Sequence, residues 1–219
     1  MFAVAIDADD TNSIQRAINA LTSGGEVYFP RKTYTTSAQI DIINSGVRLV
    51  GEGRDATRIL SSATGHTFQV ALGLSYVEIH DMEITRPSYP AVTGQDGIHF
   101  TGLTERALIE NVEISRHWDG IHCGITSFCK LRANLITNCY SHGIHVTNAD
   151  LAGGLQWTLI DNLRQQCDGW AVFYEAVTAA PALARSSIRN RTPIGLAVWP
   201  SLGLIRGTLS KECAFTADF

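Results

Sequence analysis

The 219 residues carry 45% hydrophobic and 17% charged side chains and 19 glycines, which suits one domain with an ample core and excludes a disordered chain. A formal net charge of −4 lacks the basic footprint of a general nucleic-acid binder, and no apolar run approaches the roughly 20 residues of a membrane span. The N-terminus also lacks the basic-then-apolar layout of a secretory signal.

From the N-terminus, Asp10 to Leu21 reads as a short helix. Asp10 or Thr11 supplies the cap, Ile14, Ala17, Ile18 and Leu21 fall on one face, and Gly24-Gly25 stops it. Residues 1–25 are therefore expected to form a strand and a capping helix. A single continuous body of strands is expected over 26–219, with the helix covering its open end.

Short strand-like runs follow at Gly25 to Pro30, Thr33 to Thr35, Ile40 to Ile42, Val47 to Gly53 and Thr57 to Leu60. This opening, from Asp9-Asp10-Thr11 and Ser13 to Ile18 through Gly24 to Pro30, Thr33-Tyr34 and Val47 to Gly53, resembles the pectate lyase superfamily. It is most similar to the branch of phage tailspikes and polysaccharide depolymerases. The resemblance implies a right-handed parallel β-helix, a polysaccharide ligand, a homotrimer and a place on the virion tail or outside the cell. It departs from the family pattern in its first residues, Phe2 to Asp7, and at Arg31-Lys32, where Pro-Gly is usual.

Pro87, Pro90 and Gly94 mark a loop from Arg86 to Gln95, expected to leave the wall and to offer Tyr89 for stacking on a sugar. Directly after it, one phrase recurs at a spacing of 23 residues: Asp96-Gly97-Ile98-His99-Phe100, Asp119-Gly120-Ile121-His122-Cys123 and His142-Gly143-Ile144-His145-Val146. Looser copies follow at Asp168 to Val172 and Ile194 to Val198. A repeat this short fits one coil of a solenoid, in which equivalent positions stack about 4.8 Å apart. Strand alternation then turns Ile98, Ile121 and Ile144, with Phe100, Cys123 and Val146, toward the core. His99, His122 and His145 face outward as a ladder. Asn111 and Asn134 share the interval of 23 and are assigned to turns.

The chain closes without a convincing capping helix, which suggests a fragment of a longer chain or an end covered by oligomerisation. The five cysteines, Cys123, Cys129, Cys139, Cys167 and Cys213, include no Cys-x-x-Cys pair. They are expected to be small buried thiols in a chain made in a reducing compartment, with no metal site and no cofactor.

Three chemistries fit the ladder, with hydrolysis of glycosidic bonds the first expectation, elimination the second and binding alone the third. In hydrolysis Asp96, Asp119 and Asp168 serve as acid, base or nucleophile, with His99, His122 and His145 sharing protons. Trp118, Tyr140 and Trp170 would stack on sugar rings. In elimination His122 or His145 takes a proton from a uronate whose carboxylate is neutralised by Arg116 or Arg132. The third is a tail-fibre module that holds glycan without cutting it. The recurring Asp-Gly is equally ordinary turn chemistry, in which Asp bonds backbone amides and Gly takes a positive φ.

Overall fold

The computed structural model describes residues 9–88, 93–124 and 126–148, and beyond these the backbone of the strands Leu159–Gln166, Val172–Ala176, Ser187–Asn190 and Leu196–Val198. Tyr89, Cys167, Asp168, Trp170 and Cys213 lie outside the described residues, as do Phe2 to Asp7.

Among the described residues, parallel strands form three sheets, with one helix. Successive coils each add a strand to a sheet of seven: Ile40–Ile42, Phe68–Val70, Ile98–Phe100, Ile121–Cys123, Ile144–Asn148, Val172–Ala176 and Leu196–Val198. A second sheet of ten strands includes Gly25–Phe29, Val47–Gly51, Glu78–Thr85, Leu108–Ser115 and Leu159–Gln166. A third joins Leu74–Ser75, Thr104–Glu105 and Thr126–Ser127. The long strands bend at Asp81 and Asn111, whose φ values of 59° and 52° place them in the left-handed region that Asp and Asn tolerate better than most residues.

The expected alternation holds. Ile98, Ile121 and Ile144 pair in register with one another, as do Phe100, Cys123 and Val146, and all six are buried. Cys129 and Cys139 are buried thiols too. The core continues through Phe68, Val70, Ile79, Met82, Ile109 and Ile114, so each coil lays its apolar residues on those of the coil before it.

The helix Thr11–Asn19 buries Ile14 and Ile18, followed by Leu21. Its capping differs from expectation: Asp9 Oδ1 accepts from the Thr11 amide at 2.9 Å. Asp10 instead accepts from Lys32 Nζ at 2.8 Å and from the Thr35 amide at 2.9 Å, because it is drawn inward against the second strand. Gln15 accepts from the Asp41 amide and donates to the Asp41 carbonyl, both at 2.8 Å. That side chain satisfies main-chain groups on the terminal strand of the seven-stranded sheet, where unpaired edges attract foreign strands.

Two expectations need correction, and one shared interval misleads. Asn111 and Asn134, assigned to turns, do not stack, because the long sheet advances by 22 residues there: Glu110 meets Arg132 and Glu113 meets Leu135. Asn134 is buried and donates to the Ile109 carbonyl at 3.0 Å while accepting from the Val112 amide at 3.0 Å. The looser copies are out of step as well, since Ile144 pairs with Val172 and Val172 with Leu196. A register read from glycine spacing alone would have placed residue 170 opposite Ile144. Finally, Arg86 does not leave the wall; it is 4% exposed and donates to the carbonyls of Ala63 and Gly65.

The repeating glycines also have a different cause from the one expected. Gly97 and Gly120 are absent from the positive-φ positions; contact with the next coil excludes a side chain. A β-carbon on Gly120 would lie 2.6 Å from the Gly143 carbonyl oxygen and 2.5 Å from Ile136 Cγ2, and one on Gly97 would lie 2.6 Å from the Gly120 oxygen. Gly120→Ala is therefore expected to destabilise the fold by about 1–3 kcal/mol through overpacking, read as a lower urea midpoint at unchanged m-value.

Candidate functional site

The seven-stranded sheet carries the histidines on the side opposite the core. His99, His122 and His145 pair in register. A fourth ring that the repeat did not reveal, His66, stacks on His99 with centroids 3.9 Å apart and planes inclined by 17°. His99 meets His122 at 4.6 Å, and His122 meets His145 at 4.5 Å. The four side chains are 15–21% exposed, so the ladder is half-buried rather than freely presented. His66 precedes a strand in which Gln69 occupies the ladder position opposite His99, which is why the phrase Gly-Ile-His could not find it.

Asp96 and Asp119 do not line the open face. Their residues are 1% and 2% exposed, and each carboxylate ties one coil to the next. Asp96 Oδ1 accepts the Asp119 amide at 3.1 Å, and Asp119 Oδ1 accepts the His142 amide at 2.8 Å. The second oxygen of each faces imidazole. Asp96 Oδ2 lies 2.9 Å from His99 Nδ1, 3.1 Å from His66 Nδ1 and 3.5 Å from His122 Nδ1. Asp119 Oδ2 lies 3.0 Å from His145 Nδ1 and 3.8 Å from His122 Nδ1. His122 Nε2 reaches the Thr147 hydroxyl at 3.2 Å.

Burial alone would raise the Asp96 carboxyl, but hydrogen bonds from His122, His66 and His99 overturn that effect and hold it far below the ordinary carboxylate range. Asp96 is thus ionised wherever the fold persists. Its chemistry is to orient rings and polarise them, as second-layer carboxylates do for imidazole.

Other expected site residues fall in two places. Trp118 and Tyr140 sit in the corner entering the histidine sheet, their rings 4.6 Å apart and inclined by 31°; Tyr140 is 51% exposed, a flat surface suited to a sugar face. Arg116 lies in the same corner at φ 61° and donates to the carbonyls of Arg86 and Pro87 at 3.4 and 3.5 Å. Arg132, in contrast, is on the long sheet, where it pairs with Glu110 at 2.7 Å. Nearness in sequence does not bring it to the histidines.

Beneath this corner lies another residue that sequence reasoning missed. His117 is fully buried and shares a hydrogen bond of 2.9 Å with the Thr67 hydroxyl. Desolvation, aided by the charge of Arg86, pushes its pKa down to about 3. The unfolded chain, with an ordinary imidazole near 6.5, takes up this proton first as pH falls. Stability is then fully present above about pH 6.5 and is lost on acidification toward about pH 3. Urea midpoints measured across that range should fall with pH, and His117→Gln should flatten the part of the slope that this group supplies.

Comparison with known proteins places the fold. Residues 5–91 match the family described as "Rhamnogalacturonase A/epimerase, pectate lyase-like", so the pectate lyase resemblance of the opening residues holds. No curated protein matches the chain. Among solved structures, ORF18 of Geobacillus virus E2 is 22% identical with a TM-score of 0.65, over 87% of this chain and 39% of that one. The catalytic domain of a GH87 α-1,3-glucanase in complex with nigerose is 15% identical with a TM-score of 0.72, over 93% and 39%. The A-module of the mannuronan C-5 epimerase AlgE6 from Azotobacter vinelandii is 14% identical with a TM-score of 0.55, over 87% and 63%. The chain spans about two-fifths of the first two structures' length. These likenesses concern the fold alone, a pectate lyase-like stack of parallel strands.

Proposed function

We propose that this chain is the right-handed β-helical body of a tailspike-like polysaccharide depolymerase, and that glycan lies along the histidine-bearing sheet. The observation that carries the reading is the in-register stack of His99, His122 and His145 over two buried carboxylates, flanked by the Trp118–Tyr140 pair. Such a face combines proton-transfer groups with a flat apolar step, which suits an extended sugar chain. The phage protein and the glycan-active proteins of like fold support the substrate class and a virion setting. The tailspike resemblance adds a homotrimer.

The geometry favours elimination over hydrolysis. A hydrolase needs one carboxyl that is protonated near neutral pH and another that reaches the sugar or a water. Asp96 and Asp119 are buried against imidazoles, and Asp96 stays ionised. His122 is the most open ring of the stack, 21% exposed, whereas Nε2 of His145 is buried. In the proposed step His122 takes the proton at C5 of a uronate through Nε2, the nitrogen beside the Thr147 hydroxyl, and the C4–O4 bond breaks as the C4–C5 double bond forms. The departing oxygen then acquires a proton. Asp96 Oδ2 and Asp119 Oδ2, 3.5 and 3.8 Å from the Nδ1 of His122, orient the base.

Digestion of uronate-containing and capsular polysaccharides, with reducing ends and the ultraviolet absorbance of the new double bond read together, tests this. Both signals are expected for the unaltered chain. His122→Gln should lower the rate by about 100-fold or more, with retained glycan binding. Reducing ends without new absorbance would replace elimination by hydrolysis. Binding without any product would leave a glycan-holding module.

A further inference from the structure

We infer that His66, Asp96 and His99 form a binding site for a divalent transition-metal ion. The inference concerns ion binding alone and does not depend on the proposed glycan chemistry.

The hydrogen bonds at Asp96 do not balance. Three ring nitrogens, Nδ1 of His66, His99 and His122, converge on Asp96 Oδ2 at 3.1, 2.9 and 3.5 Å. A carboxylate oxygen offers about two lone-pair directions, so three N–H donors oversubscribe it. His66 Nδ1 is contested in addition: the Asp96 amide points at it from 3.4 Å, as toward an acceptor, while Oδ2 faces it as toward a donor. One proton on that nitrogen cannot satisfy both.

A cation resolves the conflict. With Nδ1 of His66 and of His99 deprotonated, two nitrogen lone pairs and Asp96 Oδ2 are available side by side, their donor atoms all within 4.8 Å of one another. Bonds of about 2.0–2.2 Å from imidazole and carboxylate to a metal such as zinc require the two stacked rings to splay, so that their in-plane lone pairs converge. His122 is then free to turn its Nδ1–H to Asp119, 3.8 Å away.

The surroundings are those of a held ligand. Asp96 Oδ1 is fixed by the Asp119 amide at 3.1 Å, which orients the carboxylate in the manner of an outer-layer partner. The two rings are stacked nearly parallel at 3.9 Å, so their Nδ1 atoms enter from neighbouring coils. Arg86, the nearby positive charge that acts on Asp96, spends its hydrogen bonds on the carbonyls of Ala63 and Gly65. Two imidazoles and one carboxylate select Zn²⁺, Ni²⁺, Co²⁺ or Fe²⁺ over Ca²⁺ or Mg²⁺, which prefer all-oxygen sets. Asp119, His122 and His145 repeat the arrangement one coil on, more loosely.

The test uses the full chain, stripped with a chelator, dialysed and titrated calorimetrically with zinc sulfate. A saturable site is expected, weakened about tenfold or more by His66→Gln and by His99→Gln and unchanged by Arg132→Ala. Zinc should raise the melting temperature of the unaltered chain and not of either histidine variant. Should a variant fold poorly, cobalt on the unaltered chain decides: visible bands of a nitrogen- and oxygen-ligated ion support the site, and sulfur charge-transfer bands, from the buried thiols, overturn it. Absence of saturable zinc binding, or binding retained in both histidine variants, overturns it equally.

Discussion

Among the described residues, successive coils meet through parallel main-chain hydrogen bonds, so a strand residue's close spatial neighbours include its own equivalents one repeat away. That constraint governs the rest. It aligns isoleucines into a continuous core, forbids a β-carbon at Gly97 and Gly120 where coil carbonyls pass closely, and turns a residue repeated in sequence into a column in space. It also multiplies a single polar choice: one histidine per coil becomes a stack of rings.

A stack of ionisable groups must balance its charge. In this sheet the balance comes from below, where Asp96 and Asp119 are withdrawn from solvent and shared between coils. One oxygen of each closes a main-chain hydrogen bond that the corner would otherwise leave open, and the other faces imidazole nitrogens. Structural and chemical roles thus coincide in one side chain. The carboxylate that joins two coils also sets the orientation of the rings above it, and the tighter of the two clusters gathers more ring nitrogens than its oxygen can serve.

The corner at Arg116 to Trp118 shows the same economy of position. Arg116 takes the left-handed bend, His117 turns fully inward to Thr67, and Trp118 turns toward Tyr140. Three successive residues meet solvent, core and a neighbouring coil. Arg132, close to this corner in the repeat unit, is carried to a different sheet and pairs with Glu110. Distance along the chain is therefore a poor guide to membership of the site, whereas sheet and coil are good ones.

Much of the architecture was legible from residues alone. Alternation in Ile-His-Phe, Ile-His-Cys and Ile-His-Val specified which side chains enter the core, because a strand sends neighbours to opposite faces whatever surrounds it. The spacing of 23 specified which histidines would stack, and the amphipathic run from Ile14 to Leu21 specified the cap. What the repeat could not carry was decided by three-dimensional packing. Coil lengths differ between sheets, so Asn111 and Asn134 miss one another although they share the histidines' interval. His66 joins the ladder from outside the phrase, because stacking requires a ring at the right height and not a matching motif. The depth of Asp96 and Asp119 depends on how closely one coil settles on the next. Periodicity determines register, but only the packed coils determine which polar atoms lose their water and which partners replace it.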